Sequence, residues 1–309
     1  MKYNLLKKII CHRIVIEGNQ LIKEFFKRVF SYRFHTRGLF NPFIGLQISS
    51  MNDYSGINTE NSRESQIIVS LTSYEDRFSD LPITLYSLLN QSVKPDKIIL
   101  WLSDEYKDLT EIPYEISQFI KNGLEIRFVK DIGPYTKAIY AFKEFQNSII
   151  VTADDDIYYP IDWLKKLYLS YIAHPENIHV HRSHRVNLCL PYQKWTKYVK
   201  EESARFDNFL TGVGGVLYPP RCFSREVLRE DVFLKNSPNA DDIWFWVMAL
   251  VHNRKIRVVK NHIKTLILTN IFRQLFSKTL YKQNRNGAND EQLANLMKYY
   301  GQNVKNKLL

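Results

Sequence analysis

The sequence predicts an α/β fold, a mostly parallel central sheet flanked by helices, with helical extensions at both ends. Three observations predict it. Strand and helix signals alternate from Gln66 onward, the pattern of βαβ units. The strand candidates are short β-branched runs that stop on polar residues. Basic stretches with helical periodicity or helix signals lie on either side of this region.

In order, Ile67–Leu71 reads as a strand, and Leu81–Gln91, with Pro82 in its first turn, as a helix. Lys97–Leu102 is a second strand. Tyr114–Lys121 is a helix closed by Asn122-Gly123, and Leu124–Val129 a third strand. Tyr135–Phe145 is a helix and Ser148–Thr152 a fourth strand. In such sheets ligands bind beyond the carboxyl ends of the strands. That directs attention to Thr72-Ser73-Tyr74, Asp104, Asp131 and the triplet Asp154-Asp155-Asp156. Uncompensated carboxylates at a buried strand tip repel and resist desolvation, so a hard divalent cation carrying a phosphate suits the triplet. A solvated turn capping the next helix is the plainer reading. Neither GxGxxG nor GxxxxGK[ST] occurs, so a dinucleotide fingerprint and a P-loop are unsupported.

The net charge of +11 is uneven. Residues 1–50 hold nine Lys/Arg against two acids, residues 251–309 twelve against two, and the middle twenty-two against twenty-eight. An acidic centre between basic ends is not the pattern of a nucleic-acid-binding core, so no nucleic-acid partner is expected. It fits a catalytic domain whose ends meet an anionic substrate or surface. Leu21, Ile22, Phe25, Phe26, Val29 and Phe30 recur at helical spacing with Lys23, Lys27 and Arg28 between them. This basic amphipathic helix either lies on an anionic membrane or packs on its own domain. Residues 47–65 read as a linker. Cys11, Cys189 and Cys222 form no CxxC pair and no disulfide framework. No apolar run approaches a membrane span, and the amino terminus lacks a secretory-signal pattern. The expected location is the cytoplasm, with peripheral attachment to the inner face of the cell membrane as an option. The expected organisation is an extension and linker over 1–65, a catalytic domain over 66–250 divided near 160, and a basic extension over 251–309.

A first strand ending in a small polar turn, a second ending at Asp104 and a fourth ending in DxD resemble the nucleotide-sugar domain of GT-A (Rossmann-like) glycosyltransferases. The similarity is to the family 2 type, which often builds bacterial surface polysaccharides. It covers residues 66–250, about 60% of the chain. Thr211–Pro220, rich in glycine, and Ala240-Asp-Asp-Ile-Trp-Phe245 fall where that family has its acceptor-binding and catalytic segments. The resemblance implies a nucleotide diphosphate sugar donor, with a UDP-sugar favoured, and a saccharide or lipid-linked acceptor. It implies Mg²⁺ or Mn²⁺ neutralising the departing diphosphate. It puts Asp154 on the ribose side, with Asp155 and Asp156 competing for the metal and His262 as a candidate third ligand. Lys137 becomes a diphosphate contact and Asp104 a base contact, while Thr72, Arg77 and Asp131 are further nucleotide candidates. Asp131 could equally cap its Gly-Pro turn. The family's acidic pair corresponds to Asp241-Asp242, with Asp242 the favoured general base in an inverting attack and Asp241 the other carboxylate. Asp for the family's usual Glu at 241 leaves open which carboxylate reaches the acceptor.

Gly212, Gly214 and Gly215 could admit close approach of a sugar or form a bulged strand. His174, His179, His181 and His184 lack a zinc spacing and read as surface and sheet residues. A QxxRW processive-synthase signature is absent. Three alternatives stand beside the transferase. A haloacid-dehalogenase-like phosphatase needs Thr or Val where Tyr158 stands. A nucleotidyltransferase shares the fold but leaves Asp241-Asp242 less readily explained. A non-enzymatic basic membrane-associated adaptor leaves the acidic centre without a purpose.

Overall fold

The computed structural model describes residues 55–60, 63–263, 266–270 and 287–308. The amphipathic helix expected within residues 1–30 and the first part of the linker lie outside the described residues.

The chain runs β1 (Ile67–Thr72), α1 (Leu81–Leu89), β2 (Lys97–Ser103), α2 (Tyr114–Ser117), β3 (Leu124–Val129), α3 (Thr136–Glu144), β4 (Ile149–Thr152) and β5 (Ile157–Tyr158). It continues through α4 (Trp163–Ala173), β6 (Ile178–Val180), β7 (Ser183–Arg185), β8 (Asn208–Leu210), β9 (Val216–Tyr218), α5 (Glu230–Asn236) and α6 (Asp241–Val251). The remaining elements are β10 (Ile256–Val258), β11 (Ile267–Leu268), α7 (Asn289–Tyr300) and α8 (Gln302–Lys305). The helix expected over 114–121 is α-helical only to Ser117. It then tightens into a 3₁₀ turn that Gly123 closes at φ +106°.

Seven strands form one sheet in the order β10-β6-β9-β4-β1-β2-β3. β4, β1, β2 and β3 are mutually parallel, while β9 runs antiparallel between β4 and β6. The period-2 alternation of β1 divides the core into two layers. Ile67, Val69 and Leu71 pack with Leu81, Leu85 and Trp163, burying α1 and α4 on one face. Ile68 points the other way, with Trp101, Ala138, Trp244 and Phe245, so α3 and α6 cover the opposite face. Leu293, Leu296 and Met297 of α7 join this second layer.

Ser70 shares that second face and is polar for a reason. Its hydroxyl donates to the Lys137 carbonyl at 2.5 Å and accepts from Trp101 Nε1 at 2.7 Å. A buried hydroxyl with both roles filled costs little, and here it ties the first turn of α3 to the centre of the sheet.

The histidines were expected at the surface and in the sheet: His179 and His184 do lie in strands β6 and β7, but these two and His181 are buried. The His181 ring donates through Nε2 to the Trp163 carbonyl (3.0 Å) and accepts the Ile263 N–H at Nδ1 (3.2 Å). Burial pushes its pKa down to about 3, so it is a neutral structural pin between α4 and the segment after β10. No helix among the described residues is long and apolar enough to cross a membrane.

Candidate active site

Parallel pairing sets the carboxyl ends of β1, β2, β3 and β4 along one edge, and the polar residues that follow them share it. Ser70 lies opposite Thr152, so Ala153 still donates its N–H to Ser70 O (3.0 Å) and the triplet begins one residue later. Asp155 is buried at this tip, 8% exposed. Its carboxylate accepts from Ser73 Oγ (2.6 Å) and Arg77 Nη1 (3.1 Å), and Thr84 Oγ1 of α1 donates to its carbonyl (2.9 Å). Arg77 also pairs with Asp156 Oδ2 at 2.6 Å. On the other side of the triplet, Lys137 Nζ lies 2.7 Å from Asp154 Oδ1 and 3.1 Å from Asp241 Oδ2. The Asp154 N–H donates to the Tyr159 hydroxyl at 2.8 Å.

Asp241 and Asp242 occupy the first turn of α6, where a helix favours negative charge. Asp242 Oδ1 accepts the Gly212 N–H at 2.8 Å. A Cβ added to Gly212 would lie 2.8 Å from that oxygen and 3.3 Å from Lys137 Nζ, so only glycine leaves the contact intact. Gly215 has φ +87°, and a Cβ there would meet the Trp163 indole at 2.5 Å. The Gly212–Gly214 segment is a 3₁₀ turn between β8 and β9, and its bareness lets the chain press on Asp242 and Trp163.

Electrostatics follow from this packing. Burial raises Lys137's cost as a cation, yet Asp154, Asp241 and Asp242 hold its pKa well above the ordinary lysine value. Burial pushes Asp155 up to about 7 against the pull of Arg77, with Asp156 adding repulsion. Burial and then the Asp241 charge push Asp242 up to about 8. Asp241 is raised too, burial outweighing Lys137. Acids with raised folded-state values stabilise the fold below their unfolded pKa, and that stability is lost as pH rises through the folded value. The protein without ligand should therefore lose stability between about pH 4 and pH 8, measured as urea midpoints across that range.

The other sequence candidates are placed as follows. Thr72 Oγ1 donates to the Trp101 carbonyl (2.9 Å) at the end of β1. Asp104 is exposed just past β2, its backbone N–H bonded to Val129 O at 2.8 Å. Asp131 accepts from Gly133 N–H (2.8 Å) and Thr136 Oγ1 (3.2 Å), which is the turn-capping arrangement. His262 lies beside His181, and among the described residues no three His, Cys, Asp or Glu side chains group as a metal site. Ser73, in the polar turn after β1 to which the sequence directs attention, contacts Asp155, whereas Thr84, Tyr159 and Thr269, whose N–H reaches Asp156 O at 2.9 Å, were not singled out from sequence.

The glycosyl transferase family 2 model matches residues 68–231, more than half of the chain. The chain belongs to this family. It is a glycosyltransferase with a GT-A fold, and the matched span holds β1 through β9, the acidic triplet and Lys137. α6 and its two aspartates lie beyond the match. No curated protein matches the chain. Among solved structures, the chain is similar to a mannosyltransferase from Pyrobaculum calidifontis in complex with GDP-Man and Mn²⁺. That likeness has 12% identity over 90% of this chain and 75% of the other, TM-score 0.46. It is also similar to residues 1–349 of S. aureus TarS (13% identity, 75% and 70% covered, TM-score 0.41). A third is a CMP:2-keto-3-deoxy-manno-octonic acid synthetase complexed with CTP (8%, 72% and 100%, TM-score 0.41). At these scores the likenesses say nothing about donor or acceptor.

Proposed function

We propose that this family 2 enzyme moves one sugar, with inversion, from a nucleotide diphosphate sugar to a hydroxyl of a saccharide or lipid-linked acceptor in surface glycan synthesis. The observation that carries the reading is Lys137, a buried ammonium bridging Asp154 of the triplet and Asp241 of the α6 pair. It fixes the two acidic segments against one another, so a donor held at one faces a base held at the other.

Five carboxylates, Asp154, Asp155, Asp156, Asp241 and Asp242, gather around two cations, Arg77 and Lys137. Burial and, after it, the neighbouring Asp156 raise the Asp155 acid against the pull of Arg77, and a further positive charge there would oppose both. That donor set fits Mg²⁺ or Mn²⁺ held by Asp155 and Asp156, the remaining ligands coming from diphosphate oxygens. Such an ion would supply charge stabilisation of the departing diphosphate. Arg77 stands between Asp155 and Asp156 and is the side chain that would turn to the phosphates. Asp242, fixed by Gly212, takes the acceptor proton, and its pKa of about 8 makes it a strong enough base once ionised. Asp241, bound to Lys137 and 9% exposed, positions rather than reacts. Asp104 and Thr72 border the nucleotide side, with a UDP-sugar favoured.

A panel of UDP- and GDP-sugars with and without Mn²⁺ tests this. Metal-dependent binding of at least one donor is expected, and Asp156→Asn should weaken it by about tenfold or more, as loss of one charged ligand would. Release of phosphate from sugar phosphates, with no donor bound, would instead favour a phosphatase.

A further inference from the structure

Arg182 follows β6, one hydrogen bond from the turn that holds Asp242. Its carbonyl accepts the Thr211 hydroxyl at 3.2 Å, and the next residue, Gly212, holds Asp242. An added Cβ on Gly214 would lie 3.0 Å from Arg182 Cβ, so the turn packs directly against this arginine. Its guanidinium lies over the Tyr198 ring, 4.7 Å from the centroid. Arg182 Nε is buried with no hydrogen-bond acceptor. Neighbouring arginines differ: Arg185 pairs with Asp207 and Glu201, and Arg205 with Asp207.

Lys197 stands beside it. Its ammonium donates to the Tyr192 carbonyl (2.6 Å) and sits 3.7 Å from the centre of the Tyr192 ring. Neither Arg182 nor Lys197 makes an ion pair with another described residue. Burial first, then the Arg182 charge, push Lys197 down to about 8, and Asp290 offsets this only in part. His184, below them, is kept neutral by burial and by both cations. Tyr198 is 59% exposed and holds φ +59°, a conformation uncommon for a bulky residue. Its ring is thus presented outward with a cation on its face.

We propose that Arg182, Lys197 and Tyr198 form a subsite for an anionic group, a phosphate or a carboxylate, carried by the acceptor. The proposal rests on the transferase reading for the word acceptor, and on the cluster itself for the anion. A planar guanidinium recognises phosphate and carboxylate oxygens through its outer amino groups, one of which now makes only a long 3.4 Å contact with the Tyr198 hydroxyl, and the exposed ring offers a face to the sugar that carries them. An anion at this point would neutralise the repulsion between the two cations. The acceptor's charged group would then anchor it while its hydroxyl turns to Asp242.

Titration calorimetry on the full chain with glucose 6-phosphate, glucuronate and glucose, followed by UDP with Mn²⁺, tests it. Both anions should bind, and glucose about tenfold more weakly or not at all, the difference a charge-assisted hydrogen bond confers. Preference between the two anions distinguishes a phosphorylated from a uronic-acid acceptor. Arg182→Gln should weaken anion binding by about tenfold while the thermal midpoint reports intact folding. Tyr198→Gly suits the positive φ and should also weaken binding, its thermal midpoint again reporting intact folding. Equal binding of all three sugars, or undiminished anion binding in either variant, overturns the subsite. Loss of UDP binding with anion binding intact would sink the donor reading alone.

Discussion

Replacing Asp242 by Asn should leave metal-dependent donor binding intact and abolish most transfer, a fall in kcat of about 10² to 10⁴. Asn keeps an oxygen to accept the Gly212 N–H, so the 2.8 Å contact and the start of α6 survive. What disappears is the capacity to take a proton. The same change removes one of the repelling acids around Lys137, so stability should hold or rise. Single-turnover transfer beside donor titration separates the two effects. Unimpaired turnover would move the base role to Asp241 or to an element outside the described residues.

Lys137→Met is expected to be the most destabilising single change in the site, about 3–5 kcal/mol. It leaves Asp154 and the buried Asp241 facing one another without their shared cation. Methionine fills the space of the lysine stem, so packing loss is small and the cost is electrostatic. Urea denaturation measures it, and Lys137→Met combined with Asp241→Asn should recover a substantial part. If the double variant is no more stable than the single, the damage comes from the stem rather than from the charge.

The four parallel strands were legible as short apolar runs bounded by polar residues, and β1 to β4 fall within a residue or two of their expected limits, whereas the three-residue β6, β9 and β10 of the same sheet are too short to carry a period of their own. The triplet was legible for the same reason, as an apolar run stopping on charge. Lys137's bond to Asp241 was not, because it joins residues 104 positions apart through α3 and α6 packing on one face. Thr84 and Tyr159 were hidden by ordinariness: a hydroxyl carries no signal until the fold shows what it touches. Two histidines, His179 and His184, do lie in strands as expected, but their burial was not legible, because packing and not composition decides whether such a ring is surface or core. Gly212 and Gly215 announced a close approach, but the approaching groups are Asp242 and Trp163 of the same chain.

One sheet serves both halves of the enzyme. β9 hydrogen-bonds to β4 on one side and β6 on the other, so the strands behind the triplet and those behind Arg182 belong to a single bonded surface. A cleft between separate bodies could shut by a hinge; a cleft along one continuous sheet cannot without breaking its ladder. Exclusion of water during transfer must therefore come from loops and side chains folding over a fixed floor. Changes in donor or acceptor preference should then follow substitution in those loops, and the floor can be left unaltered while specificity is redesigned above it.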